Sequence, residues 1–126
     1  PWLDVRLENP EIDEAQKNDK QLNKDTLKLA GIAYAGSDGI NNYLVNPIDG
    51  DLSKLKNITI YTGTYDILNP DVHVLEEKAK TQGIQINVRE YEGVSHIWIL
   101  KDDANENELK EEAFNDLIDV LNANNN

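Results

Sequence analysis

The chain contains no cysteine and no methionine. Without cysteine there is no disulfide, no thiolate metal site and no thiol nucleophile, which accords with an expected cytoplasmic location. Without methionine the chain has no initiator residue, and Pro1-Trp2-Leu3-Asp4-Val5 opens like the inside of a fold. The expectation is therefore a piece of a longer protein. Basic charge is scarce: 12 Lys and Arg stand against 24 Asp and Glu, for a net charge of -12. That balance argues against nucleic acid and anionic membrane surfaces as partners, because phosphate binding needs clustered Lys and Arg. No apolar run approaches the roughly 20 residues of a membrane span. No basic and apolar opening suggests a signal peptide. Neither G-x-G-x-x-G nor G-x-x-x-x-G-K-[ST] occurs, so no phosphate-cradling loop is expected.

What is present suits one small globular domain: 126 residues, 39% hydrophobic and 29% charged. Residues 6–22 are polar and acidic, with a turn at Asn9-Pro10, and read as a surface loop with a short helical turn. Asn23 or Asp25 caps a helix that runs to Ala35 and ends at Gly36. Its apolar residues, Leu27, Leu29, Ala30, Ile32, Ala33 and Tyr34, cover more than one face, which predicts a helix sandwiched between neighbours. Turns at Asn46-Pro47 and Asp49-Gly50 make 43–55 irregular.

The run Asn57 to Thr62 is dense in β-branched residues and predicts a strand buried on both faces. Asn69 as cap, Pro70 at the first position and Asp71 in the first turn predict a helix from Pro70 to Gln82. Val72, Leu75 and Ala79 form its apolar stripe, and Gly83 ends it. Ile84 to Tyr91 alternates and predicts a second strand near a sheet edge. A last helix starts near Asn105 with Glu108 as capping-box partner. Leu109, Ala113, Leu117 and Leu121 form its stripe, widened by Phe114 and Ile118, before an Asn-rich end expected to fray.

Strand, helix and strand in this spacing form one βαβ unit of a parallel sheet. Asp66 follows the first strand and His96 the second, 30 positions apart. Both then emerge at the carboxyl edge of the sheet, where open α/β folds place their sites. A carboxylate there can fix a histidine tautomer and stabilise the imidazolium, and a neutral imidazole can act as general base and then general acid. Taken singly, Asp66 reads as a turn or cap residue and His96 as an ordinary loop histidine. Their matched placement makes them the acid and histidine of a Ser…Asp…His order, with no Gly-x-Ser-x-Gly before them.

The remaining candidates are weaker. His73 falls in the first turn of the Pro70 helix, off its stripe, as a surface residue. Ser95 adjoins His96, but neighbouring side chains on an extended loop point apart. Three acidic clusters invite a calcium reading: Ser37-Asp38-Gly39, Asp49-Gly50-Asp51 and the run from Asp102 to Asn107. A calcium loop begun at Asp103 puts Phe114 where a bidentate Glu is required, and one begun at Asp49 puts Ile60 there. They read as solvated turns, and no metal or other cofactor is expected.

Four stretches together carry a family resemblance: Pro1-Trp2-Leu3-Asp4, Tyr43 to Pro47 with its Asn-Pro, Gly63 to Leu68, and Gly93 to Trp98. They resemble the C-terminal half of α/β-hydrolases of the hormone-sensitive-lipase-like esterase group. The resemblance implies an α/β fold with parallel strands, flanking helices and an incomplete sheet. The whole chain, 1–126, would be the C-terminal portion of one α/β-hydrolase domain, with the nucleophile half absent. It implies Asp66 as triad acid and His96 as triad base; Ile67 stands where the family usually has Pro. It further implies hydrolysis of small-molecule carboxylic esters through an acyl-serine, without metal or organic cofactor. Ile97, Trp98 and Leu68 flank the pair as candidates for an acyl pocket or for ordinary packing. The missing N-terminal half is the expected partner, and the chain alone is expected to be inactive and to self-associate. The competing class is a non-catalytic interaction module on a hydrolase-like βαβ scaffold.

Overall fold

The computed structural model describes residues 1–101 and 107–123. Six elements follow one another: α1 (Ile12–Ala15), α2 (Lys24–Ala35), β1 (Ile58–Gly63), α3 (Asn69–Thr81), β2 (Ile86–Tyr91) and α4 (Asn107–Ala123). Short 3₁₀ turns lie at Gly36–Asp38, Pro47–Asp49 and Trp98–Leu100. β1 and β2 pair in parallel, with Ile58 opposite Ile86 and Gly63 opposite Tyr91. Among the described residues the other edge of β1 has no strand partner.

The two-residue alternation of the strands sends side chains to two different helices. On one face Ile58, Ile60, Ile86 and Val88 pack with Val72, Leu75 and Ala79 of α3, closed off by Leu3, Ile48 and Leu52. On the other, Tyr61 and Tyr91 pack with Val94, Trp98, Leu109 and Ala113. Tyr61 Oη donates to Asp116 Oδ2 at 2.6 Å, and Arg89 Nε donates to the same oxygen at 3.1 Å, fixing α4 to this face. Burial, and then the bond to Asp116, push the Tyr61 phenol up to about 12, so it stays a donor.

The βαβ unit, α2 and their order agree with expectation, but details differ. Asn57 lies outside β1 with φ of 55°, and the strand runs one residue further, to Gly63. β2 begins at Ile86 because Ile84 is still tied back to α3, its N–H donating to Ala79 O at 2.9 Å. Asn69 is the first residue of α3 rather than its cap, and its side chain donates to Thr62 Oγ1 (3.2 Å) and Glu90 Oε2 (2.8 Å). α2 is capped by Asn23 and ends at Gly36 as expected, but it is not sandwiched. Leu29, Ile32 and Tyr34 are 70%, 58% and 73% exposed, while Gly31 and Ala35 are buried. The helix approaches residue 5 so closely that a Cβ on Gly31 would stand 2.8 Å from Val5 O. Gly31 and Ala35 therefore face inward, while Leu29, Ile32 and Tyr34 face outward. Similarly, α4 buries Ala113 and exposes Phe114, Ile118 and Leu121. Its expected start at Asn105, and the chain's final residues, lie outside the described residues.

Residues 6–22 are not a surface loop. Leu7 and Ile12 are completely buried, packed with Ile67 and Leu68 against Leu22, Leu27 and Trp2. Asn9 Nδ2 donates to Asp71 Oδ1 at 3.0 Å, tying this segment to the first turn of α3. Asp71 Oδ2 is buried with no partner.

At their carboxyl ends the strands feed two loops that are laced together. Thr64 N donates to Tyr91 O (3.0 Å) and Tyr65 N to Val94 O (3.1 Å). Gly93 N returns a bond to Thr64 Oγ1 at 2.8 Å. The lacing requires glycine at 63, where a Cβ would lie 2.2 Å from Val94 O.

Two predictions follow from these contacts. Gly63→Ala should lower unfolding free energy by about 3 kcal/mol, the upper end for overpacking, since the atom struck is backbone. Urea titration measures it; a loss below about 0.5 kcal/mol, the size of an ordinary surface change, would mean that the loops are not held in contact. Asp71 concerns pH. Burial, opposed by the Asn9 bond, holds its carboxyl above the usual aspartate range. A carboxyl that binds its proton more tightly when folded adds stability below its unfolded pKa, and that stability is lost as pH rises through the folded pKa. Asp71→Asn should therefore raise the melting temperature at pH 7 and leave it nearly unchanged at pH 3. A variant that loses more at pH 7 than at pH 3 would reverse the sign.

Candidate active site

Asp66 sits in the turn between β1 and α3. Its N–H donates to Gly63 O (3.1 Å), and its own carbonyl accepts from Asn69 N (2.9 Å). Its Oδ1 accepts from Leu68 N at 2.9 Å, so the carboxylate shapes the turn that carries it. Its second oxygen, Oδ2, lies 2.8 Å from His96 Nδ1. The acid side chain is 8% exposed and the histidine side chain 26%. An ionised carboxylate only accepts, so Nδ1 is the donor and the lone pair of a neutral ring falls on Nε2. Nε2 has no hydrogen-bond partner among the described residues.

The histidine loop is held from behind. Gly93 turns it with φ of 74°. Ile97, directly after His96, adopts φ of 52°, a costly left-handed conformation for a β-branched residue. The strain is sustained by Trp98, which is 3% exposed and packs its ring 5.2 Å from that of Tyr91. Ala113 of α4 completes that cluster. Trp98 and Leu68 are therefore packing residues, and Ile97, at 49% exposed, alone of the three faces solvent.

The other candidates fall away from the pair. His73 is half-exposed, with Nε2 2.7 Å from Glu90 Oε2. Ser95 Oγ accepts from Gln21 Nε2 (2.8 Å) and Lys101 Nζ (2.9 Å). No serine hydroxyl among the described residues bonds to His96. Asp49 pairs with Arg6 at 2.8 Å, and Asp51 Oδ1 accepts from Ser53 N at 2.9 Å. Ser37-Asp38-Gly39 lies at a 3₁₀ turn, and the acidic run from 102 falls mostly outside the described residues. Among the described residues no three or more His, Cys, Asp or Glu cluster as metal ligands. Two apolar concavities, of about 460 Å³ beside Trp2, Tyr34 and Leu44 and about 390 Å³ beside Ile99 and Phe114, are lined by neither Asp66 nor His96.

Asp19 was not foreseen as part of this region. It is buried, and its Oδ2 accepts from Ile67 N, the residue after the acid, at 3.0 Å. Its only signal in the sequence is an Asp four positions before an Asn cap, which marks a turn and not a distant contact. No helix among the described residues is long and apolar enough to cross a membrane.

Comparison with known proteins bears on the family and the fold. The profile of a family described as alpha/beta hydrolase fold matches residues 1–100. Comparison with curated protein sequences gives no match. Among solved structures, a hormone-sensitive lipase from a metagenome library superimposes with TM-score 0.86 at 21% identity, over 98% of this chain and 42% of that one. An esterase from the bacterial hormone-sensitive lipase family gives TM-score 0.74 at 22% identity, over 79% and 33%. An esterase/lipase from an uncultured bacterium gives 0.71 at 20%, over 79% and 33%. The chain thus spans between a third and about two fifths of the length of these structures. With that profile matched over residues 1–100, the chain belongs to the α/β-hydrolase-fold family.

Proposed function

We propose that this chain is the C-terminal part of a serine esterase or lipase and supplies its catalytic acid, Asp66, and base, His96. The observation that carries the reading is the bond of 2.8 Å from His96 Nδ1 to a buried Asp66 oxygen, with Nε2 left unpartnered among the described residues. In the reaction, Nε2 takes the proton of a serine hydroxyl as it attacks the ester carbonyl. It then gives that proton to the leaving alkoxide, and repeats both steps with water to release the acid. Asp66 holds the tautomer and stabilises the imidazolium. The serine and the oxyanion donors come from the N-terminal part of the domain, and the substrate is a small carboxylic ester. A cytoplasmic site of action accords with a chain free of cysteine.

In the complete enzyme, His96→Ala or Asp66→Asn should lower kcat by about 10⁴-fold, the usual scale for triad removals, with the fold intact. His73→Ala should leave kcat nearly unchanged. Equal effects of His73→Ala and His96→Ala would show that the base is misassigned. The present chain alone should neither hydrolyse p-nitrophenyl esters nor react with a fluorophosphonate. Stoichiometric labelling of Ser37, Ser53 or Ser95 would overturn the division of the site between two parts.

The N-terminal part would also pair along the free edge of β1 and cover the outward apolar face of α2. An uncovered parallel edge recruits other chains. The isolated chain is therefore expected to self-associate in size-exclusion chromatography with light scattering. A cooperatively unfolding monomer over a wide concentration range would show that the β1 edge needs no partner.

A further inference from the structure

The carboxylate of Asp19 is a buried charged group outside the Asp66–His96 pair. It is 7% exposed. No ion pair of Asp19 forms among the described residues. Its water has been replaced by backbone N–H groups alone: Gln21 N (2.8 Å) and Leu22 N (2.9 Å) on Oδ1, and Ile67 N (3.0 Å) on Oδ2. A local turn needs only the first oxygen and forms as well at the surface. The second oxygen reaches 48 positions along the chain to the residue that follows Asp66. Burying a carboxylate is costly unless donors meet it, so the bond to Ile67 is a condition of this arrangement and not an accessory.

The same short segment touches the histidine loop. Gln21 Nε2 donates to Ser95 Oγ at 2.8 Å, next to His96. Beneath it, Leu22 packs on the cluster of Leu7, Ile12, Ile67 and Leu68. The turn at 67 is thus held by its side chain in a core and by its N–H on Asp19, while residue 95 is held by Gln21 together with Lys101.

We infer that Asp19 is a positioning residue for the Asp66–His96 pair: it fixes the acid turn at Ile67, and Gln21 fixes the histidine loop at Ser95, so one segment sets the separation of the two. This rests on the assignment of Asp66 and His96 as acid and base. Without Asp19, Ile67 N is a buried donor with no acceptor, and the turn rotates to find one. The bond from His96 Nδ1 to Asp66 is the first to feel that rotation, since a hydrogen bond weakens steeply with distance and angle.

The test is ¹⁵N and ¹H NMR of the full chain near pH 8. The wild type should show a downfield, slowly exchanging Nδ1–H on His96 and an unprotonated Nε2. Asp19→Asn keeps the size of the side chain and an oxygen for its own turn, but sets an NH₂ against Ile67 N. It should speed exchange of the His96 Nδ1–H by about tenfold, as expected for a weakened charge-assisted bond. Ile48→Val, in the separate core on the α3 face, should lower the melting temperature and leave the His96 signals in place. Unchanged His96 signals in Asp19→Asn, with faster exchange at the Ile67 amide, would overturn the positioning role while sparing the acid–base assignment. Absence of the Nδ1–H signal in the wild type would overturn both. If Asp19→Asn does not fold, Gln21→Ala, at an exposed position, supplies the reading. Shifts at Ser95 and His96 together support the inference, and a shift confined to Ser95 overturns it.

Discussion

The site depends on how closely the end of β1 approaches the loop after β2. A side chain at position 63 would occupy the place of Val94 O. Only with glycine there can the bonds from Thr64 N to Tyr91 O and from Tyr65 N to Val94 O form, extending the parallel ladder beyond the strands. Those bonds carry the two loops side by side for long enough that Asp66 and His96 meet. An isolated two-stranded sheet is marginal in water, so the register of the pair is stabilised from outside. α3 covers one face through Val72, Leu75 and Ala79, and α4 covers the other through Ala113 and the Asp116 bonds.

The first 57 residues contain no strand, yet Val5, Leu7, Ile12, Asp19, Val45 and Asn46 are buried among them. Buried amides and carbonyls need partners, and here polar side chains supply them. Asn46 is fully buried, accepting from Val5 N at 3.0 Å and donating to Ile40 O at 2.5 Å. Gln16 donates to Leu22 O and accepts from Lys24 N, joining α1 to the start of α2. Asp19 does the same across a longer distance, and Asn9 reaches Asp71. The segment works as a bracket under the acid turn: Leu7 and Ile12 supply the apolar contact, and Asp19 and Asn9 supply the directional ones.

These features differ in how far the sequence reveals them. The strand–helix–strand unit was legible because its signals are local: β-branched density in β1, Pro70 and Asp71 at the start of α3, Gly83 at its end. The meeting of Asp66 and His96 was legible because their spacing follows from that unit. The role of residues 6–22 was not. Leu7, Ile12 and Leu22 are single apolar residues among acids with no helical or strand period, and their burial depends on Ile67 and Leu68, far along the chain. α2 misled for a different reason. Its apolar residues do surround the helix, but the face that packs is chosen by Gly31 and Ala35, which allow the closest approach. Hydrophobicity marks what is able to be buried, and steric fit decides which part is.

Asp66 shows why a turn residue and a partner for histidine are not competing roles. One oxygen serves the turn through Leu68 N, and the other serves His96. The first bond makes the second specific, because a carboxylate held by its own turn cannot swing away from the ring. The same division recurs in Asp19, with one oxygen for its local turn and one for Ile67 N. Two such carboxylates in series, one behind the other, convert a loose pair of loops into a fixed distance between Asp66 and His96. On the other side of the pair, the strained backbone at Ile97 is held at φ of 52° by the packing of Trp98 on Tyr91.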